Sequence, residues 1–209
     1  MRIDRAAIPF VLIAAVPAVI VWLWWGALAA APALLLPLAT AAFFRDPDRA
    51  ASQDPLLVLS PADGRVMYAG PAREEEAPAE GPWLQVTIFL SVLDVHINRT
   101  PVSGRVTRVD YQPGSFLPAY KRESFRNERS EIWFDHAGVP VVARQVVGLL
   151  ARRVVCRLTP GQQVAAGARL GLMKFGSRMD VFVPPTARLE VIEKQTVRGG
   201  ETVLARWPA

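Results

Sequence analysis

From Ala6 to Phe44 the chain runs for 39 residues without a single charged side chain. As one straight helix that stretch would be about 58 Å long, whereas the hydrocarbon core of a bilayer is roughly 30 Å thick. A single span is therefore too short to use it all. A secretory leader also fits poorly, because its apolar part covers only about 7–15 residues. Gly26 divides the stretch into Ile8–Trp25 outward and Ala27–Phe44 back. Trp22, Trp24 and Trp25 then fall at the far interface, where amphipathic rings prefer to lie. Arg2 and Arg5 precede the stretch and Arg45 and Arg49 follow it, so the positive-inside bias places both ends on the cytoplasmic side. Pro17, Pro32 and Pro37 weaken the helices, and a shallow re-entrant hairpin competes with a full double crossing. The expectation for residues 1–44 is a helical, membrane-associated hairpin.

Nearly every charge falls in the remainder. Hydrophobic residues make up 51% of the whole chain and charged ones 21%, an average that hides this split. The remainder is long enough to bury a core, which excludes a disordered or collagen-like chain. Cys156 stands alone, so there is no disulfide scaffold, and it reads as a small buried apolar residue. The net charge of +5 is carried mostly by scattered Arg. It suits anionic lipid surfaces better than nucleic acid, because no basic motif interleaved with aromatics is present. No Cys/His set has metal-ligand spacing, so no metal is expected.

Residues 45–59 open with Arg45-Asp46-Pro47-Asp48 and read as a linker. Short alternating or β-branched runs follow, at Trp83–Leu90, Val102–Val109, Glu131–Phe134, Val139–Val147, Ala151–Leu158, Met179–Val183 and Leu189–Ile192, mostly bounded by turn residues. Ala119–Arg129 is the one candidate helix, and Glu74–Glu76 reads as part of a solvated loop. Pro61-Ala62-Asp63-Gly64-Arg65-Val66 returns forty residues later as Pro101-Val102-Ser103-Gly104-Arg105-Val106, with a weaker copy at Pro184–Leu189. Together with Gly161-Gln162-Gln163-Val164-Ala165-Ala166-Gly167, these repeats suggest a mainly β domain over residues 60–209. Its expected form is a lipoyl/biotinyl-like flattened barrel or a sandwich of short hairpins.

Gly176-Ser177 lies between two strand-like runs, and a plain β-turn accounts for it on composition alone. A sharper reading is that the glycine permits a strained or closely approached backbone. A serine hydroxyl placed there can attack the preceding carbonyl and move the acyl group from nitrogen to oxygen. Elimination from that ester breaks the chain, and hydrolysis of the dehydroalanine leaves a pyruvoyl ketone.

Ser60-Pro61-Ala62-Asp63-Gly64, Phe89-Leu90-Ser91, Asp94-Val95-His96-Ile97-Asn98-Arg99, Pro113-Gly114-Ser115-Phe116, Asn127-Glu128-Arg129 and Phe175-Gly176-Ser177-Arg178 follow one another in this order. In that order the text from about Ser60 to Pro184 resembles the phosphatidylserine decarboxylase proenzymes of short prokaryotic form. The resemblance implies self-cleavage between Gly176 and Ser177, giving a β chain of 1–176 and an α chain of 177–209 that stay together as a heterodimer. It implies a covalent pyruvoyl cofactor made from Ser177, which forms a Schiff base with the serine amine of phosphatidylserine and accepts the electrons as carbon dioxide leaves. Phosphatidylethanolamine is the product, and the enzyme belongs to the cell membrane with its catalytic domain on the cytoplasmic side. A higher oligomer is left open.

A hydroxyl is a weak nucleophile at its ordinary pKa, so Ser177 needs a base and an orienting acid. By motif position the resemblance makes His96 the base and Asp63 the acid. Arg99 stands where longer bacterial relatives carry a second histidine, so either His96 does both jobs or maturation uses another base. His136, before Ala-Gly, reads as a turn histidine. Two alternatives remain. One is a non-catalytic carrier or adaptor of lipoyl/biotinyl type; the other is a serine hydrolase, which lacks the Gly-x-Ser-x-Gly elbow.

Overall fold

The computed structural model describes residues 2–149, 154–174 and 176–208. The chain divides into two compact units, Met1–Asp48 and Arg49–Ala209. In the first, strand β1 (Arg2–Ile3) is followed by helix α1 (Ile8–Trp25), which stops where the sequence suggests. Gly26 takes φ 84° there, a left-handed conformation that a Cβ disfavours. The return is broken into α2 (Ala27–Ala30), a 3-10 turn (Ala31–Leu34) and α3 (Leu35–Phe43). Pro32 lies in that turn, where its missing N–H and its ring disfavour a continuous helix. Strand β2 (Arg45–Asp46) pairs with β1, so the two ends of the apolar segment meet as in a hairpin. Among the described residues only the helical stretch Arg5–Trp25 is long and apolar enough to cross a bilayer.

The second unit is built almost entirely from antiparallel strands: β3 (Leu57–Leu59), β4 (Gly64–Pro71), β5 (Leu84–Leu90), β6 (Ile97–Arg99), β7 (Gly104–Gln112), β8 (Arg129–His136) and β9 (Val139–Val146). After them come β10 (Val154–Cys156), β11 (Gln163–Val164), β12 (Arg169–Met173), β13 (Ser177–Val183), β14 (Arg188–Leu189), β15 (Thr196–Val197) and β16 (Val203–Arg206). A curled eight-stranded sheet has the order β11-β7-β8-β9-β13-β5-β4-β15, and two three-stranded sheets run β10-β12-β6 and β14-β16-β3. Alternate residues point into one core, including Ile88, Ile132, Phe134, Leu170, Met179 and Leu204, all almost fully buried.

The forty-residue echo is a structural repeat. Gly64 and Gly104 open β4 and β7 with φ 152° and 145°, and a Cβ at either would lie 2.2 Å from a carbonyl oxygen of the neighbouring strand. Both strands carry a bulge just after, at Val66/Tyr68 and Val106/Arg108. Each accepts a short edge strand in matching register, Val197 opposite Gly64 and Val164 opposite Gly104. The segments before them cross reciprocally, Leu59 N–H donating to Pro101 O and Arg99 N–H to Pro61 O, both at 2.8 Å. The third copy opens only the two-residue β14 and does not share this place.

Several expectations need correction. Ala119–Arg129 contains only a 3-10 turn, Arg122–Arg126. The expected linker carries β2 and β3. Glu74 and Glu75 are exposed, but Glu76 is buried. Of the run Ala151–Leu158, the strand is found at Val154–Cys156, and 151–153 lie outside the described residues. Cys156 is only half-buried; burial pushes its thiol pKa up, away from reactivity.

Candidate active site

Strand β13 is buried along its whole length. Ser177, its first residue, pairs with Leu90 at the end of β5, and alternation turns it to the core face with Met179. Its hydroxyl is fully buried and has no hydrogen-bond partner among the described residues. A buried polar group left unpaired costs about 1–3 kcal/mol, so such a hydroxyl calls for an explanation. Gly176, just before it, has φ 72°. The carbonyl of Gly176 lies against the backbone of Gly148, where an added Cβ would sit 2.1 Å from that oxygen. Only glycine fits at 148.

His96 approaches the same bond from the loop before β6. Its Nε2 accepts the Gly176 N–H at 3.3 Å, and its Nδ1 faces the carbonyl oxygen of Asp94 at 2.9 Å. The two contacts fit the tautomer with the proton on Nδ1, which leaves the Nε2 lone pair directed at the Gly176–Ser177 region. The Asp94 carboxylate holds the loop, accepting from Ser91 N–H at 2.8 Å and Ser91 Oγ at 2.7 Å. A buried bond from Gln145 Nε2 to Asn98 Oδ1, 2.8 Å, ties β6 to β9 beside the site.

Asp63 is not brought onto the imidazole. Its carboxylate accepts from Arg49 at 2.7 Å and from Gly199 N–H at 2.7 Å. The group orienting Nδ1 is thus the Asp94 main chain rather than the Asp63 carboxylate. Arg99 donates to Gly167 O at 3.0 Å and packs beside Gly200, so its guanidinium braces the turns that Asp63 also holds. His136 ends β8 with its ring nitrogens 2.6 and 2.7 Å from the carbonyl oxygens of Ser103 and Pro55. It is a buried structural residue. Phe175 lies outside the described residues.

The opposite face of β13 carries a charge network that the sequence did not reveal. Arg178 pairs with Glu76 and with Asp180 (2.7 Å), Asp180 accepts from Thr87 (2.8 Å), and Glu76 from Gln85 (3.0 Å). Arg144 pairs with Glu131 at 2.9 Å. Burial works against the Arg178 charge, but Asp180 and Glu76 outweigh it and raise its pKa. Burial likewise pushes the Glu76 carboxyl up, yet Arg178, with Gln85 and Arg73, holds it below the usual carboxylate range. A recess of about 150 Å³ lined by Arg73, Glu76, Tyr120 and Arg122 opens on this side, away from the Ser177 hydroxyl. The network supports the strand and takes no visible part in the chemistry at its start. Gly148, the Asp94 carbonyl and Glu76 all escaped the sequence reading. The spacing of Ser91 and Asp94, which forms a side-chain-capped turn here, is the one signal that could have pointed to one of them.

A family profile described as Phosphatidylserine decarboxylase matches residues 36–205. A protein of Solibacter usitatus named phosphatidylserine decarboxylase proenzyme is 41% identical over 208 residues, covering 99% of this chain and 97% of its own. One from Salinibacter ruber with the same name is 44% identical over 197 residues, covering 90% and 83%. One from Geotalea uraniireducens is 43% identical over 203, covering 96% and 94%. The match spans both sides of the Gly176–Ser177 bond and the His96 loop that faces it, and the chain belongs to the phosphatidylserine decarboxylase family.

Proposed function

We propose that the chain is a self-processing decarboxylase that converts phosphatidylserine to phosphatidylethanolamine and carbon dioxide. The observation that carries this is the buried Ser177 hydroxyl, without a hydrogen-bond partner among the described residues, next to a left-handed glycine whose N–H is held by His96 Nε2 at 3.3 Å. In maturation, Ser177 Oγ adds to the Gly176 carbonyl carbon and gives up its proton. His96 Nε2 is the nearest base, once it exchanges the Gly176 N–H for that hydroxyl. The C–N bond breaks as the C–O bond forms, leaving an ester. Loss of the Ser177 Cα proton then expels the Gly176 carboxylate, and hydrolysis of the dehydroalanine releases ammonia.

The residues present fit the pyruvoyl group expected at position 177: the position is buried, and its one polar side-chain atom has no hydrogen-bond partner among the described residues. That group supplies the electron sink that decarboxylation at an amino-acid carbon requires. The chain's own residues enclose it and hold His96 against the new β-chain terminus, Gly176. Asp63 serves at a distance, as a positioning carboxylate that ties Arg49 to the Gly199–Gly200 turn. The β chain 1–176 and α chain 177–209 remain one heterodimer because β13 stays paired with β5 and β9. The hairpin repeat is read as a flattened barrel of lipoyl/biotinyl type. The apolar segment attaches the enzyme to the cell membrane with this unit on the cytoplasmic side, as the flanking Arg residues favour.

A decarboxylation assay on phosphatidylserine tests the reading. Wild-type chain is expected to release carbon dioxide, and Ser177→Ala to remain one chain and release none. Turnover by the uncleaved Ser177→Ala protein would exclude the mechanism.

A further inference from the structure

We propose that the loops around Gly176 form a docking rim that inserts into an anionic bilayer surface, so that the lipid substrate reaches the site without leaving the membrane. This rests on the decarboxylase reading for its purpose, but not for its observations. β5 and β9 end, and β8 and β13 begin, at the same edge of the large sheet, because Ser177 pairs with Leu90, Arg178 with Val146, and Val146 with Arg129. Loops leaving that edge therefore surround the scissile bond. Among the described residues of Arg49–Ala209, every exposed large apolar side chain except Ile192 lies there. Val92 and Leu93 follow β5, Tyr111 is the last residue but one of β7, Phe116, Leu117 and Tyr120 occupy the 113–128 loop, and Leu149 follows β9. Leu93 is 79% and Leu149 57% exposed. The β8–β9 turn at Ala137-Gly138, on the far edge, has none.

A soluble domain would not gather its exposed apolar residues at one edge without a partner. The chemistry of the rim selects a lipid surface. Leucine and aromatic rings stand beside the exposed cations Lys121 and Arg126, with Glu123 and Glu128 on the same loop and Arg122 paired with Glu75 at 2.9 Å. Apolar anchors with interfacial aromatics and exposed cations that can meet lipid phosphates are how a protein lies on a leaflet, and the substrate phosphatidylserine makes that leaflet anionic. The loops are also braced to keep this shape. Asn127 accepts Leu117 N–H at 2.9 Å and donates to Leu117 O at 2.7 Å and Val147 O at 2.8 Å, and Tyr120 meets Phe89 edge to face at 6.1 Å. The N-terminal apolar segment would keep this unit within reach of such a surface.

The test uses the full chain carrying Cys156→Ser and one new cysteine labelled with bimane, reconstituted in vesicles of brominated phosphatidylcholine with phosphatidylglycerol. Label at Leu93→Cys is expected to be quenched several times more strongly than label at Ala137→Cys on the far edge. If Leu93→Cys fails to fold, Phe116→Cys takes its place. Equal, weak quenching at both edges would overturn the proposal. This readout needs no turnover, so a chain that docks but does not decarboxylate would retain the rim and remove the proposed activity. In a second arm, Leu93→Asp with Phe116→Asp is expected to lower turnover of vesicle phosphatidylserine by about 10-fold, the scale of losing a little over 1 kcal/mol of interfacial binding. Turnover of short-chain phosphatidylserine dispersed in solution should be unchanged, and equal loss or equal retention on both substrates would contradict the rim.

Discussion

In the proposed maturation the Gly176 carbonyl carbon is attacked, and two neighbours fix where it lies. Gly148 leaves the room: Gly148→Ala would put a methyl 2.1 Å from that oxygen, so self-cleavage is expected to stall while the strands still form. A time course on a denaturing gel, with circular dichroism for folding, checks this. In the proposed mechanism His96 supplies the lone pair, and His96→Ala is expected to slow cleavage by about 10²–10⁴-fold, the usual worth of general acid–base help. Asp63→Asn should be milder, because an amide oxygen still accepts Gly199 N–H and only the Arg49 pair is lost. Measured cleavage rates would separate the two, and an Asp63→Asn rate as low as that of His96→Ala would return the carboxylate to the imidazole. Gly176, Ser177 and His96 were legible in the sequence because their motifs carry them to one place. Asp63 was legible as a motif residue, but its contacts were not. The residue that orients His96 acts through a main-chain carbonyl, which no side-chain pattern encodes.

At the scale of elements, the proposed cleavage would cut the connection of β13 to Met173-Lys174, and the Arg178 network helps the strand hold its place. Glu76 reaches the strand from a loop read as solvated. One buried carboxylate inside a run of three glutamates has the same composition as an exposed one. Glu76→Gln is expected to destabilise the unit by about 3–5 kcal/mol, because it leaves the buried Arg178 charge short of a partner. The pH dependence has a definite sign. The folded Glu76 pKa is depressed, so its contribution is complete above the unfolded carboxylate value and is lost as pH falls through the folded one. Thermal melts from neutral to acid pH should therefore show the gap between wild type and Glu76→Gln closing on acidification. A gap that widens in acid would contradict the assignment.

Over the whole molecule, the forty-residue echo fits a two-fold repeat of strand, bulge and edge strand, and its break marks the site. His136 and Val139 pair across a tight turn at Ala137-Gly138 in one half. In the other half Leu90 and Ser177 pair in the corresponding place, with Gly176 left-handed but no turn joining them. The proline-glycine repeats were readable from sequence, whereas the reciprocal crossing of β3 and β6 depends on long-range pairing that no local pattern specifies. The apolar hairpin was legible for the opposite reason, since its length and lack of charge leave few alternatives. Because every site residue lies beyond it, deletion through Phe44 is expected to yield a chain that still cleaves itself, read on a gel, while its turnover of vesicle lipid falls more than its turnover of dispersed lipid. The account as a whole stands on the bond between Gly176 and Ser177, and intact-mass measurement of the purified protein tests it most directly. Two chains are expected, the smaller starting at position 177 with a blocked terminus and lighter than its serine form by the exchange of an amine for a ketone. A single full-length chain that nonetheless decarboxylates phosphatidylserine would contradict it.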